Sequence, residues 1–285
     1  MPPQRGAGNA TRGAKAKFAQ QTLAALEAGQ YTNAAGETIE LAAAVAAAKA
    51  GTVLHEIGDP LMAPASPGAT AISVTAESTI EAIVRLAGRP GHLACLNFAS
   101  AKSPGGGFLG GAQAQEETLA RSSGLYPCQL TQSTYYERNR ANHSALYLDL
   151  ALWSPHVPVF RDDDGGWLDR PVYASVITCA APNAGALRQH GTFDAAVVAD
   201  TLLRRASLVL AVAAHHGVSR LVLGAWGAGV FGNDPALVAG VFRTLLAERY
   251  DGAFAEVVFA IHGGTGANHA AFVAAFGDRE PSSVT

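Results

Sequence analysis

The chain has 285 residues, of which 49% are hydrophobic and 15% are charged, and its formal net charge is −3 at pH 7. A chain of this length and composition is typical of a globular protein with one large domain, or with one domain and an accessory region, around a substantial core. The small negative charge argues against a strongly basic surface, so we expect no direct DNA binding; the phosphates of a polyanionic ligand would need local donors.

Cysteine positions and hydropathy argue against several further classes of protein. The three cysteines, Cys95, Cys128 and Cys179, are far apart and have no Cys-X-X-Cys spacing, which predicts neither a disulfide framework nor a structural zinc site. The sequence has no apolar run of about 18 residues to form a membrane helix, and its N-terminus lacks the apolar core of a signal peptide. We therefore expect a cytoplasmic protein without a membrane partner, and take a monomer as its state.

Residues 1–65 are predicted to form an accessory region with two helices. The first covers residues 11–28 and begins at Thr11, a potential N-cap. An alanine-rich stretch at residues 41–50 predicts the second helix. Prolines and a glycine between residues 60 and 68 mark a linker, which places a domain boundary between residues 65 and 66.

Residues 66–285 predict one α/β domain, because short apolar strands alternate with helical patterns. The predicted strands are residues 71–75, 92–98, 172–179, 220–225 and 256–262, and the predicted helices are residues 79–87, 193–216 and 235–249. Nearly continuous apolar strands indicate a sheet that is covered on both faces, hence a three-layer α/β/α domain with a mixed, mostly parallel sheet. Residues 147–171 predict a hairpin or an added edge strand, in which three aspartates and two glycines form a solvated turn rather than a cation site.

Two glycine-rich loops follow predicted strands, at residues 103–111 and 224–233. Both match the pattern G-X-G-X-X-G, but neither is followed by an acid about 20 residues later at the end of the next strand, as a Rossmann dinucleotide site requires. We interpret them as two loops whose backbone N–H groups bind one pyrophosphate from both sides. The alternative is two tight turns without a ligand.

Gln115-Glu116-Glu117 follows the first glycine loop. Most glycosidases use two carboxyl groups about 5–9.5 Å apart that flank the scissile bond. Adjacent residues cannot easily supply that pair, since neighbours diverge by about 100° around a helix and point to opposite sides of a strand. The sequence therefore favours one acid/base with a supporting carboxylate; the alternative is a pair of acids that stabilises the first turn of a helix through its dipole.

The spacing of Gly105-Gly106-Gly107, seven residues and Gln115-Glu116-Glu117 resembles the GGG-x(6–8)-QEE motif of poly(ADP-ribose) glycohydrolases. The residues around the motif, 96–104, resemble the compact bacterial-type branch of that family. The resemblance implies a macrodomain fold over roughly residues 70–270, with residues 1–65 as the N-terminal accessory segment.

The same resemblance implies a role for each site residue. Glu117 would protonate the departing ribose oxygen and then activate water, while Glu116 would hold ribose hydroxyls. Phe231 would pack against the distal ribose, Glu77 would bind the adenine amino group, and Ser100 stands where many macrodomains hold that ribose with asparagine. The full set of substrate-binding residues is Gly105, Gly106, Gly107, Gln115, Ser100, Glu77, Gly227, Gly229, Val230, Phe231, Gly232 and Asn233.

The implied activity is hydrolysis of the ribose–ribose O-glycosidic bonds of poly(ADP-ribose), mainly from chain ends, with release of ADP-ribose. ADP-ribosylated proteins would carry the polymer, and the activity would reverse ADP-ribosylation in the DNA damage response. We expect neither a metal nor a redox cofactor. Three alternatives stay open: a non-catalytic ADP-ribose-binding macrodomain, a hydrolase of mono-ADP-ribosyl groups, and an unrelated nucleotide phosphohydrolase with metal-binding acids.

Overall fold

The computed structural model describes residues 10–61 and 68–277. The helices within these residues are α1 (Arg12–Ala28), α2 (Ala42–Ala50), α3 (Thr79–Leu86), α4 (Gln115–Ser122), α5 (Leu125–Leu130), α6 (Ser133–Ala141), α7 (Ala184–Gln189), α8 (Ala195–His215), α9 (Pro235–Ala247) and α10 (Gly266–Phe276). The strands are β1 (Gln30–Thr32), β2 (Thr38–Glu40), β3 (Val53–Glu56), β4 (Ala71–Thr75), β5 (His92–Phe98), β6 (Leu150–Arg161), β7 (Trp167–Cys179), β8 (Val218–Leu223) and β9 (Glu256–Ala260).

Seven strands form one sheet in the order β3-β6-β7-β5-β8-β9-β4. The pairs from β7 through β5, β8 and β9 to β4 are parallel, and those of β6 with β3 and β7 are antiparallel. The expected mixed, mostly parallel sheet is therefore confirmed. The hairpin predicted in residues 147–171 is also present as β6 and β7, whose turn closes where Arg161 pairs with Trp167.

Both faces of the sheet are covered by helices. Along β5, Leu96 packs in one hydrophobic cluster with residues of α8 and α9, whereas its neighbour Cys95 packs in a second cluster with residues of α3 and α4. Successive side chains of a strand point to opposite faces, so burial on both sides explains why the strands are nearly continuous apolar runs. The expected three-layer α/β/α arrangement is confirmed.

The N-terminal region differs from the expected purely helical segment. Helix α1 begins as predicted at Thr11, whose side chain accepts a hydrogen bond from Ala14 N at 3.2 Å. The region also contains the β1–β2 hairpin, and its strand β3 pairs with β6 at the edge of the main sheet. Strand β3 thus covers backbone groups of the long strand β6 that would otherwise form an open edge. The expected boundary between residues 65 and 66 lies outside the described residues.

Helix α1 also contacts the loop between β5 and α4 and helix α4 itself. The Arg12 guanidinium donates to Gly110 O at 2.9 Å, and the Thr22 hydroxyl donates to Arg121 O at 2.5 Å. A side chain on Gly111 would begin 2.0 Å from Arg12 O, so only glycine permits this close packing. The accessory region therefore fixes the loop that precedes the two glutamates. None of the helices in residues 10–61 and 68–277 is long and apolar enough to cross a membrane.

Histidines cluster at the amino-terminal end of β5, where β3 and the end of α8 meet. His55 Nε2 lies 3.0 Å from His216 Nε2, and the His216 ring stacks on Trp153 with a centroid distance of 4.2 Å. His92 hydrogen-bonds to the carbonyl of His216 at 3.1 Å and stacks on His156. Burial lowers the pKa of His55 and His92, and burial together with the neighbouring histidines lowers the pKa of His216 to about 4.

We predict that this cluster makes the fold sensitive to acid. The pKa of His216 is near 6.5 in the unfolded chain and lower in the folded chain, so the unfolded state binds more protons as the pH falls between these values. The contribution of His216 to the free energy of unfolding is therefore complete above about pH 6.5, and it is lost progressively as the pH falls from about 6.5 to about 4. The titratable neighbours of His216 are His55, His92 and His215, and the carboxyl group of Asp59 lies next to His55.

His216→Phe keeps the aromatic stack on Trp153 but cannot be protonated. The fall in melting temperature between about pH 7.5 and about pH 5 should therefore be smaller in His216→Phe than in the unmodified protein. His143→Asn, at an exposed histidine, is the control and should leave the slope unchanged. Equal slopes for the unmodified and His216→Phe proteins would contradict the prediction.

Candidate active site

A cleft of about 530 Å³ opens at the carboxyl-terminal ends of the parallel strands. Ligands of open α/β sheets bind at this edge because the loops that leave the strands surround it. The walls are the starts of α3 and α4, the loops after β5, β8 and β9, and the β6–β7 turn. Of the residues predicted from the sequence, the cleft is lined by Ser100, Gln115, Glu116, Glu117, Gly227, Gly229, Val230 and Phe231.

Glu117 lies in the first turn of α4, and the first glycine loop lies directly against its carboxyl group. Gly107 N donates to Glu117 Oε1 at 2.9 Å. Gly106 has a φ of +57°, and a side chain there would begin 2.4 Å from the same oxygen. Glycine is therefore required at position 106 both by the left-handed backbone and by the contact with Glu117.

This placement limits what the first loop can offer to a pyrophosphate. Among the described residues, Gly105, Gly106 and Gly107 do not line the cleft. The N–H of Gly107 is taken by Glu117, and that of Gly106 donates to Ser103 O within the loop at 3.0 Å. The loop therefore holds the carboxyl group of Glu117, and among its three adjacent glycines only the N–H of Gly105 has no acceptor among the described residues.

The second glycine loop has the opposite character. The N–H groups of Gly227, Gly229, Val230 and Phe231 have no acceptor within the described residues, and all four residues line the cleft. Free backbone N–H groups at the rim of a cleft form a binding site for an anion. Val230 is 87% exposed, so the loop tip stands in solvent.

Two further members of the second loop hold its shape. The buried Asn233 amide donates to Pro182 O at 2.8 Å and to Gly227 O at 2.9 Å, which closes the loop. Gly232 O accepts a hydrogen bond from Arg188 at 2.9 Å. Asn233 and Gly232 were predicted to bind substrate, but among the described residues neither lines the cleft.

Glu116 is turned into the protein, with only 2% of its surface exposed. Its Oε1 accepts from Asn97 Nδ2 at 3.1 Å and from Gln129 Nε2 at 2.9 Å, and its Oε2 accepts from Ser100 N at 2.6 Å. Burial raises the pKa of Glu116 to about 7, while the three donors favour its charged form. The sequence analysis did not identify Asn97 and Gln129 as site residues, because a single amide in a strand or a short helix belongs to no recognisable motif.

Gln115 lines the cleft, yet its amide is fully engaged by the fold. Its Oε1 accepts from Phe98 N at 2.8 Å, and its Nε2 donates to Leu96 O at 2.8 Å and to Thr79 Oγ1 at 3.1 Å. These bonds tie the start of α4 to β5 and α3. Gln115 therefore positions the two glutamates, and its predicted role as a direct ligand is not supported by this geometry.

Ser100 combines two functions of the loop after β5. Its hydroxyl oxygen accepts from the N–H groups of Lys102 at 3.2 Å and Ser103 at 3.1 Å, which shapes the turn before the glycines. Its own N–H donates to Glu116 Oε2. Since the hydroxyl hydrogen is not used in these bonds, the Ser100 side chain can still donate into the cleft.

The acid predicted to contact adenine is not at the cleft. Glu77 forms a two-point ion pair with Arg85, with N–O distances of 2.6 and 2.8 Å, and among the described residues it does not line the cleft. The carboxyl group that does lie there is Asp163, from the β6–β7 turn, which accepts from Ser78 Oγ at 2.5 Å. Burial raises the pKa of Asp163. The three aspartates were predicted to form a solvated turn, and only the fold shows that the middle one faces the cleft.

Comparison with known proteins identifies the family that shares this arrangement. The model of the microbial-type PARG catalytic domain matches residues 19–162. The chain belongs to the microbial-type PARG family. The resemblance drawn from the glycine and glutamate motif is thereby confirmed. A comparison with curated proteins gives no match.

Solved structures of PARG proteins are similar over most of the chain. The poly(ADP-ribose) glycohydrolase of Thermomonospora curvata is 44% identical with a TM-score of 0.88, over 93% of this chain and 100% of that chain. The same protein bound to the inhibitor ADP-HPD is 43% identical with a TM-score of 0.85 and the same coverage. The poly(ADP-ribose) glycohydrolase of Deinococcus radiodurans in complex with ADP-ribose is 44% identical with a TM-score of 0.76, over 81% of this chain and 96% of that chain.

The fold shows how the paired glutamates are placed, while the acid/base role predicted for one of them stays a prediction. Glu116 and Glu117 are acids of the first turn of α4, where the helix dipole favours negative charge. They also diverge as neighbours on a helix do, one toward the buried amides and one toward the glycine loop. Among residues 10–61 and 68–277, no group of three His, Cys, Asp or Glu side chains is placed to hold a metal ion.

We predict that Gly106→Ala displaces Glu117 and lowers stability. The left-handed backbone alone costs an alanine about 1–2 kcal/mol, to which the contact with Glu117 adds. The melting temperature should fall by several degrees, and a crystal structure of the variant should show Glu117 moved away from Gly107 N. Gly229→Ala is the matched control from the second loop, where a side chain would meet nothing within 4 Å. A Gly106→Ala protein as stable as Gly229→Ala would contradict the prediction.

Proposed function

We propose that the chain hydrolyses the ribose–ribose O-glycosidic bonds of poly(ADP-ribose), mainly from chain ends, and releases ADP-ribose. The observation that carries the proposal is the carboxyl group of Glu117, which lies on the cleft with one oxygen held by Gly107 N–H. The similar protein of Deinococcus radiodurans binds ADP-ribose, and that of Thermomonospora curvata binds ADP-HPD. A binding module without catalysis would need the free N–H groups of the second loop but not this carboxyl group.

Glu117 has the geometry of a single acid/base. Among the described residues, only Gly107 donates to its carboxyl group, and it does so at Oε1. The protonated acid can therefore donate through Oε2 to the departing ribose oxygen as the C1–O bond breaks through an oxocarbenium-like state. The resulting carboxylate then accepts a proton from water, whose oxygen bonds to the anomeric carbon. This second step returns the proton to Glu117 and completes the cycle.

The surrounding residues position the terminal unit of the polymer. The free N–H groups of the second loop hold the pyrophosphate. The partly buried ring of Phe231, whose centroid lies 6.0 Å from that of Tyr147, packs against the distal ribose. The ionised carboxyl group of Glu116 accepts hydrogen bonds from ribose hydroxyls. We also propose that ADP-ribosylated proteins carry the polymer and that the chain works in the cytoplasm, where its three free, buried thiols would stay reduced.

Incubation with purified poly(ADP-ribose) tests the activity and its direction together. If cleavage proceeds from chain ends, as proposed, early time points should contain monomeric ADP-ribose and little shorter polymer. Chromatography of the products with time is the measurement. Abundant early oligomers would show internal cleavage, and intact polymer would remove the proposed activity.

Glu117→Gln should abolish hydrolysis while ADP-ribose still binds. Glutamine preserves the size of the side chain but cannot donate a carboxylic proton, and general acid/base catalysis typically contributes about 10²–10⁴-fold to rate. Binding should persist because the second loop, which this change does not touch, holds the phosphates. Hydrolysis is followed by product chromatography and affinity by calorimetry.

Glu116→Gln is the matched comparison on the adjacent residue. It removes a buried carboxylate that accepts hydroxyls, so affinity for ADP-ribose should fall while some turnover remains at saturating polymer. Near-normal hydrolysis by the Glu117→Gln protein would overturn the assigned mechanism. Tight binding of ADP-ribose without hydrolysis by the unmodified protein would favour a binding module.

A further inference from the structure

Glu116 depends on a donor that lies outside the cleft. Gln129, on α5, is fully buried and among the described residues does not line the cleft, yet its Nε2 donates to Glu116 Oε1 at 2.9 Å. Asn97 donates to the same oxygen from β5. Oε1 is thus engaged by two buried amides, which leaves Oε2, beside the cleft-lining Ser100, as the oxygen that can take a further donor.

The orientation of the Gln129 amide follows from its surroundings. Its Oε1 is buried and has no hydrogen-bond partner among the described residues. Exchanging the oxygen and nitrogen atoms would place that oxygen against an ionised carboxylate, which has no hydrogen to donate. The N–H therefore faces Glu116, and the unpaired oxygen is tolerated because a hydrogen bond to a charged group is stronger than one between neutral groups.

We propose that Gln129 is a positioning residue for this reaction, whose N–H keeps the Glu116 carboxylate ionised and its Oε2 turned to the cleft, and so sets the affinity for the ribose. The inference rests on the proposed function of Glu116. Gln129 touches no substrate atom and acts only through that carboxylate. Its removal should therefore weaken binding more than it slows turnover at saturating polymer.

The protonation state of Glu116 gives the proposal a readout that a merely structural residue would not change. The titratable groups that face Glu116 are the carboxyl of Glu117 on its own helix and the phenols of Tyr135 and Tyr136 on α6. Burial raises the pKa of both phenols, so they stay neutral across the range of interest. The Glu117→Gln substitution removes the other carboxyl group that faces Glu116 and also prevents hydrolysis of the ligand. Every variant below therefore carries Glu117→Gln as well.

In that background, affinity for ADP-ribose should rise with pH between about 5 and about 8.5 as Glu116 becomes ionised, since burial raises its pKa to about 7 in the unmodified protein and the loss of the Glu117 charge lowers it from there. Gln129→Glu should reverse the slope. At low pH the two carboxyl groups share a proton, which preserves the hydrogen bond, whereas at high pH both are charged and repel each other. Gln129→Met, which has no donor, should bind roughly five- to fifty-fold more weakly at about pH 7.5, with its rise shifted to higher pH.

Gln132→Glu is the control for added charge, because this nearby amide donates to Thr52 O at 2.7 Å and not to Glu116. In this control, affinity for ADP-ribose should change with pH as it does in the Glu117→Gln protein. Calorimetry with ADP-ribose across the pH range is the measurement, with thermal unfolding to show that each variant is folded. If Gln129→Glu does not fold, the shift of the Gln129→Met profile decides.

Equal slopes for the background, Gln129→Glu and Gln129→Met proteins would overturn the proposal, even if the variants bind more weakly by a constant factor. The proposed function fails separately: an unmodified protein that binds ADP-ribose but leaves poly(ADP-ribose) intact refutes the hydrolysis and still permits the pH comparison. An unmodified protein that does not bind ADP-ribose would refute both.

Discussion

The hydrogen bond from Gly107 N to the carboxyl group of Glu117 is the contact on which the site depends. It requires the glycine loop to lie against the first turn of α4, so close that Gly106 can carry no side chain. Helix α1 holds the far end of the same loop through Arg12. Helix α1, the loop and α4 therefore form one support for a single carboxyl group, and a change in any of them acts on its position.

The two glycine loops differ in how the fold uses their backbone N–H groups. In the first, the N–H groups of Gly106 and Gly107 are used within the loop and on Glu117, and the glycines permit close packing and left-handed backbone. In the second, four N–H groups on the cleft have no acceptor among the described residues. Backbone N–H groups bind an anion only when the fold leaves them unpaired. Similar glycine-rich sequences therefore produce different functions, according to which hydrogen bonds the loop already makes.

Much of the fold can be predicted from sequence because local rules determine it, as with the cap at Thr11 and the apolar strands. The motif of glycines and glutamates was identified through its resemblance to a known family and not through such rules. Contacts between distant segments cannot be predicted in the same way. Glu77 follows the expected strand, but Arg85, two helical turns later, takes its carboxylate, while Asp163 reaches the cleft from a turn that resembles any solvated hairpin. Likewise, the amides around Glu116 come from elements that only the fold brings together.

The energetics of Glu116 show why those amides matter. A rise in its pKa from 4.5 to about 7 corresponds to roughly 3 kcal/mol against the charged form. This figure is what remains of the cost of burial after the three donors have acted, and since each hydrogen bond to a charged group contributes about 1.5–3 kcal/mol, losing one donor would raise the pKa further by a comparable amount. At neutral pH the group therefore lies near its midpoint, and the loss of one donor is enough to leave it protonated. A buried carboxylate with so small a margin is controlled by residues that never reach the substrate, which explains how a side chain on α5 can determine what happens in a cleft it does not line.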